Sequence, residues 1–123
     1  MLHSLQDSSV SYDYYNRDYD PTPDEYFGDE PDSHGTMCAG VIGMAKNNAR
    51  CGVGVAHHAH IGGIKFDMGS GSDVVHASVI GHKNNAIHVY SNSWGPGDLG
   101  FIVSGPGDLV KRALETAVTQ VKV

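Results

Sequence analysis

The sequence predicts an α/β fold built on a mostly parallel sheet. Three observations carry that expectation. From residue 34 onward, short apolar stretches bounded by glycine alternate with stretches of helical period. Sixteen glycines among 123 residues suit a loop-rich α/β architecture. The last long stretch is strongly amphipathic, with Leu109, Val110, Ala113, Leu114, Ala117, Val118 and Val121 on one stripe.

Taken in order, residues 1–33 read as mostly irregular. Pro21, Pro23 and Pro31 break any long helix, and Asp, Asn and Ser supply turn chemistry. Residues 34–46 read as a helix, with Met37, Val41, Met44 and Ala45 at i, i+4, i+7 and i+8. Asp32 or Ser33 is its expected N-cap and Asn47-Asn48 its end. Residues 52–56 and 59–66 read as short buried strands, and 69–72 as a turn whose Ser72 caps a helix over 73–83. Residues 87–91 read as another strand, and 93–106 as a loop rich in Gly and Pro. Pro106 then opens the amphipathic helix. Strand and helix in alternation imply parallel pairing through right-handed crossovers.

Charge narrows the function classes. The net charge is −6, and residues 1–32 hold nine of the fourteen acids with one base, Arg17. Such a block argues against nucleic-acid binding and suits a bound cation, a basic substrate or a solvated loop. No apolar run approaches the roughly 20 residues that a bilayer span needs. Met1-Leu2-His3-Ser4-Leu5 has neither a basic nor an apolar leader region, so no signal peptide is visible.

The chemistry gathers at Asp32-Ser33-His34-Gly35-Thr36-Met37-Cys38-Ala39-Gly40. A histidine on the first turn of a buried helix, followed by small residues that let another backbone approach, is placed as a general base needs. Taken alone, the same histidine also reads as a satisfied core residue.

His34-Gly-Thr-Met-Cys-Ala-Gly40, Asn47-Asn48, Cys51-Gly-Val-Gly-Val-Ala56, Ile61-Gly-Gly-Ile64 and Tyr90-Ser-Asn-Ser-Trp-Gly-Pro96 follow one order and spacing. Together they resemble subtilisin-like serine proteases, and within these the kexin/furin type of proprotein convertase. The likeness runs from about Ser11 to Gln120 and covers part of that family's catalytic domain. It implies a partial, doubly wound, three-layer αβα sheet. In that reading 1–123 is a fragment of the catalytic domain, with an acidic calcium-loop region over 1–33. Residues 34–123 then form a helix–strand core with the catalytic histidine and a substrate edge.

The resemblance makes His34 the general base of an Asp-His-Ser triad, taking the serine proton during attack and returning it to the leaving amine. The family's aspartate lies in an Asp-Asp/Ser/Thr-Gly strand end before the histidine, and no such motif precedes His34. Asp67-Met-Gly69 has fitting letters but follows it. The nucleophile's Gly-Thr-Ser segment is absent from the chain, so the isolated chain is expected to be inactive and to aggregate or remain partly unfolded. Ser93, Trp94, Gly95 and Pro96 resemble the edge that pairs with substrate backbone; from the residues alone they are a loop after a strand. Asp98 resembles a carboxylate that selects basic substrate residues. His76, Ser104 and Gly97 stand where the family has acids, and Met68 falls where a carboxylate is usual. Polypeptide substrates are therefore expected, with a weakened preference for basic ones.

Calcium is the expected cofactor. Asp13, Asp18 and Asp20 follow a D-x4-D-x-D spacing with Asn16 between, a set of hard oxygens that suits Ca²⁺; a solvated acidic loop is the alternative. The resemblance places these three at a calcium site. It implies a second site at the carbonyls of Ala45, Arg50 and Gly52 and the side chain of Asn48. Cys38 lies four residues after His34 on one helical face. The resemblance makes it a free thiol near the base, pairs Cys51 with a cysteine beyond this chain, and sets the protein in the secretory pathway or outside the cell. His57-His58-Ala59-His60 raises zinc, but on a strand only His58 and His60 would share a face. A truncated, non-catalytic product that binds peptide or calcium is the rival reading.

Overall fold

The computed structural model describes residues 6–24, 33–50, 52–67, 69, 71–95, 100–101 and 105–120. The chain forms two compact units, Met1–Lys65 and Phe66–Val123.

In the first unit, strand β1 (Tyr12–Asp13) pairs in parallel with β2 (Ile64–Lys65), Tyr12 opposite Ile64 and Asp13 opposite Lys65. Helix α1 (His34–Gly43) lies between them in sequence, which makes a parallel crossover unit and hence an α/β arrangement. The pairing reaches beyond the two strands. Gln6 bridges Ile61 in parallel, Tyr12 N–H donates to the Gly63 carbonyl at 2.9 Å, and Tyr14 N–H donates to Lys65 at 2.8 Å.

β1 lies inside the stretch expected to be irregular. Asp13 within it and Ser11 just before it are both fully enclosed, so no apolar alternation announces it. Polar groups satisfy one another there instead. The Ser11 hydroxyl donates to the Asp7 carbonyl at 2.8 Å and accepts Gly63 N–H at 3.2 Å. Tyr12 packs edge-on against Tyr14 and Tyr19, at ring separations of 4.9 and 5.4 Å.

Helix α1 stops at Gly43, three residues short of its expected end. Met44 turns to extended backbone while its N–H still donates to Gly40. The chain then folds back on the helix end. Gly54, Val55 and Ala56 N–H donate to the carbonyls of Met44, Val41 and Ile42 at 2.8, 3.1 and 2.8 Å. These bonds satisfy carbonyls that a helix terminus leaves open. A Cβ at Gly54 would collide with Met44 N and the Ile42 carbonyl, so only glycine allows the approach. Residues 52–56 are thus a terminal wrap and not a strand. Residues 59–66 reduce to β2 and the Ile61 bridge, and 55–58 form a turn. The buried face of α1 also differs from the apolar stripe: Gly40 and Gly43 are buried, whereas Met37 and Val41 are mostly exposed. Ser33 occupies the N-cap without a side-chain cap bond, and Asp32 lies outside the described residues.

In the second unit, α2 (Asp73–Ile80) packs against α3 (Asp108–Gln120). Val79 and Val110, one from each helix, are the buried hydrophobic residues among those described. The α3 stripe is used in part: Val110 is buried and Ala113 and Ala117 are half-buried, but Leu109, Leu114 and Val118 are exposed. Asp73 joins the helices by capping. Its carboxylate accepts Leu109 N–H at 2.9 Å and Val110 N–H at 3.4 Å, which serves the open N-terminus of α3 from its neighbour. α2 ends three residues before its expected limit because Gly81 closes it and Lys83 turns through positive φ (47°). Residues 87–91 form no strand among the described residues, and Val89 there is exposed. The Tyr90 hydroxyl lies 2.6 Å from the His82 carbonyl and 2.8 Å from Asn84 Oδ1.

Candidate functional site

His34 is the first residue of α1, and its side chain is exposed, not buried as the motif suggests. One turn on, the Cys38 thiol lies 3.8 Å from His34 Nε2, so the i, i+4 spacing does bring thiol and imidazole together. Cys38 is a half-buried free cysteine; Cys51 lies outside the described residues.

The acidic segment is organised by turns. Asp7, Asp13, Asp18 and Asp20 each accept, through Oδ1, the N–H of the residue two positions on: Ser9, Tyr15, Asp20 and Thr22. These are Asx turns, in which a short carboxylate replaces a backbone acceptor. Asp13 and Asp18 also exchange backbone hydrogen bonds at 2.8 and 3.2 Å, closing a tight loop around Arg17 at φ 63°.

Asp13 is the hub of this segment. Its Oδ1 also takes Asn16 N–H at 3.0 Å, and its Oδ2 takes the Asn16 side-chain amide at 3.2 Å and the Lys65 ammonium at 3.0 Å. Lys65 bonds Asp24 at 2.7 Å and the Thr22 carbonyl at 3.3 Å as well. Burial pushes the Asp13 carboxyl up. The Asn16 N–H, the Lys65 ammonium and the Tyr15 N–H outweigh that and hold it below the usual carboxylate range. For Lys65, burial works downward, but its bonds to Asp24 and Asp13 raise it above the usual lysine range. The Thr22 hydroxyl and N–H hold the Asp20 carboxyl low.

The donor set therefore meets a calcium ion unevenly. Asp13 does not fit as a ligand in this arrangement, because both oxygens are committed and one faces a cation already. Asp18 and Asp20 each keep Oδ2 outside any hydrogen bond among the described residues. No group of three or more His, Cys, Asp or Glu able to hold a metal occurs among the described residues. At the second set, Ala45 follows the end of α1, and Asn48 Oδ1 accepts Arg50 N–H at 3.0 Å. Gly52 there adopts φ 87°, flanked in the same loop by Asn47 and Ala49 at 59° and 56°. His57 and His58 meet edge-on at 4.3 Å within a turn, so strand alternation does not govern them; His60 Nδ1 lies 3.8 Å from Asp7.

The stretch expected to be a substrate edge belongs to the second unit. Ser93 and Gly95 are exposed, and nothing lies within 4 Å of where a Gly95 Cβ would be. Trp94 is half-buried between two rings: Phe66 at 5.1 Å, nearly perpendicular, and His76 at 5.4 Å, stacked at 27°. Pro96 and Asp98, with Met68, Gly97 and Ser104, lie outside the described residues. Sequence reasoning noted His76 only as a substituted acid, and it missed Lys65 and Phe66. Each acts through a partner distant in sequence, which no local spacing reveals.

Comparison with known proteins adds to this geometry. The Peptidase_S8 model, described as the Subtilase family, matches residues 2–122. "Proprotein convertase subtilisin/kexin type 6" of Rattus norvegicus is 46% identical over 112 residues, covering 91% of this chain and 12% of that protein. Furin-1 of Xenopus laevis is 43% identical over 119 residues, covering 97% of this chain and 15% of its own. "Proprotein convertase subtilisin/kexin type 4" of Homo sapiens is 43% identical over 114 residues, 93% of this chain and 15% of its own. The chain thus spans less than a fifth of the length of these relatives.

Proposed function

The chain belongs to the subtilase family of serine endopeptidases, and from that membership we propose that it is part of the catalytic domain of a proprotein-convertase-like enzyme. In this reading His34 is the general base and Ser93, Trp94, Gly95, Pro96 and Asp98 form the substrate edge. The observation that carries it is the family match over residues 2–122, which includes both motifs, with His34 opening α1 and its imidazole exposed. Chemically, an exposed imidazole on a helix's first turn can accept a proton from a nucleophile brought to it and deliver that proton to a leaving amine.

The wider domain belongs to the same proposal. Residues 1–33 are an acidic, cation-facing region, and 34–123 are a helix–strand core of a doubly wound, three-layer sheet. Exposed Leu114, Val118, Val41 and Met37 suit faces covered by the remainder of that domain. The substrates are polypeptides, with basic ones favoured where Asp98 contributes, and the setting is the secretory pathway or the cell exterior. No described helix is long and apolar enough to cross a membrane. Calcium, when bound, would screen and order the acidic segment, with Asp18 and Asp20 as its carboxylates and Asp13 only on release of Lys65. Asn48 and the carbonyls of Ala45, Arg50 and Gly52 are the proposed second set.

The rival reading, a non-catalytic product that binds peptide or calcium, has its own observation: Asp18 and Asp20 each keep Oδ2 outside any hydrogen bond among the described residues. One experiment separates the two. The native polypeptide carrying this segment is sized by immunoblot and intact mass and treated with a serine-directed fluorophosphonate. A species several times 13.1 kDa that is labelled, and that loses labelling on His34→Ala, supports the protease. An unlabelled native product of 13.1 kDa overturns it in favour of the binding product.

A further inference from the structure

The imidazole of His76 is held in an unusual way. It sits on the first turn of α2 stacked on the Trp94 indole, 5.4 Å away at 27°, with Phe66 nearly perpendicular to it, 5.7 Å away at 85°. Phe66 closes the group by meeting Trp94 at 5.1 Å and 72°. His76 Nε2 is buried and has no hydrogen-bond partner among the described residues. A buried polar atom left so costs free energy and asks for a reason. Hydrogen bonding by Nε2 is not what keeps this ring in place; its flat faces are in use.

The loop before α2 is shaped to the ring. A Cβ added at Gly71 would lie 2.5 Å from His76 Nε2, 3.1 Å from its Cδ2 and 3.0 Å from the Asp67 carbonyl. Gly71 is therefore the backstop that lets the imidazole lie flat, and a Cβ there would push the ring against its contacts with Trp94 and Phe66. Offset and edge-to-face packing of this kind fixes ring orientation more narrowly than aliphatic contact does.

We propose that His76 is a positioning residue for Trp94: its stacked imidazole, backed by Gly71 and flanked by Phe66, fixes the indole and thereby the conformation in which Ser93, Trp94 and Gly95 meet a peptide. The consequence for peptide recognition rests on the substrate-edge reading above; the anchoring itself does not. An aromatic floor beneath the indole would present substrate with ring surface where an acid would present a carboxylate.

Trp94 is the sole tryptophan of these 123 residues, and its emission reports the anchor. The experiment uses the native protein that carries this segment, in five sequences: wild type, His76→Leu, His76→Phe, Gly71→Ala and Trp94→Phe, whose emission is subtracted to leave that of Trp94. Far-ultraviolet circular dichroism checks that helix content is kept. The expected result is a red-shifted emission and an acrylamide quenching constant raised about twofold in His76→Leu and in Gly71→Ala, with His76→Phe restoring the wild-type values because the ring face returns. Unchanged emission in both His76→Leu and Gly71→Ala, no rescue by phenylalanine, or a fully solvent-exposed indole in the wild type would overturn the proposal. In a second arm, energy transfer from Trp94 to a dansyl-labelled hexapeptide ending in Lys-Arg is measured. Transfer that weakens in His76→Leu and returns in His76→Phe extends the anchor to peptide binding. An intact anchor with no transfer in any variant overturns the substrate-edge reading and leaves the anchoring established.

Discussion

The Lys65 ammonium lies 3.0 Å from the carboxylate of Asp13, which is fully enclosed, although 52 residues separate the two in the chain. β1 and β2 put them opposite each other in the parallel register. A charge held in this way is stabilising only while its partner remains.

Lys65→Met should destabilise the first unit by about 2–3 kcal/mol, below the full cost of breaking a buried pair because Lys65 is partly open to water. Asp13→Asn alone should cost a similar amount, and the double variant less than the sum. Denaturant titration followed by tyrosine emission measures this, since Tyr12, Tyr14, Tyr15 and Tyr19 lie close to Asp13 in sequence.

The pair should also set the pH limits of that unit. Asp13 is depressed in the fold, so its contribution is full above the ordinary carboxylate range, near pH 4, and disappears as pH falls through the lowered value. Lys65 is raised, so its contribution is full below the ordinary lysine range, near pH 10.4, and disappears as pH rises through the elevated value. Denaturation midpoints across pH 3–11 should therefore fall at both ends, and Lys65→Met should flatten both flanks. Identical flanks in wild type and variant would sink this account.

Cation binding by the acidic segment should compete with Lys65. Tyrosine-sensitised terbium luminescence, displaced by calcium, is expected to be lost in Asp18→Asn and Asp20→Asn. In Lys65→Met the affinity should rise about tenfold, because Asp13 no longer faces an ammonium. Equal affinity in wild type and Lys65→Met would remove Asp13 from the ligand set.

Asp73 should matter as a cap in trans. Asp73→Ala removes the acceptor for Leu109 and Val110 N–H and should cost about 0.5–2 kcal/mol, read as a lower thermal midpoint by circular dichroism. Gly107→Ala should lose the same contact by another route, since a Cβ there would overlap the Asp73 carboxylate. The two together should cost little more than either alone.

Alkylation of Cys38 should hinder His34, whose Nε2 lies 3.8 Å from the thiol. In the protease proposed above, a maleimide is expected to suppress fluorophosphonate labelling, and Cys38→Ala should keep the labelling while abolishing that sensitivity. Equal inhibition of Cys38→Ala would place the sensitive thiol elsewhere.

By itself the sequence determined the family and the α/β character, because His34-Gly-Thr, the Gly-Val-Gly run and Ser-Trp-Gly are local motifs with fixed spacing. It determined three helices as well, since helical periodicity is written within a dozen residues, although the expected caps Ser33 and Ser72 make no side-chain cap bond. It could not determine which face α1 buries: the backbone wrap at Gly54 demands close approach, so Gly40 and Gly43 turn inward and Met37 and Val41 outward. Nor was β1 legible, because the enclosed residues in and beside it are Asp13 and Ser11, whose burial is tolerable only once Lys65 and Gly63 arrive from 52 residues away. The tertiary structure alone decided that Asp13 faces an ammonium and that His76 lies flat on Trp94. Both are pairings between distant segments, and their geometry exists only after the chain has closed the loops that join them.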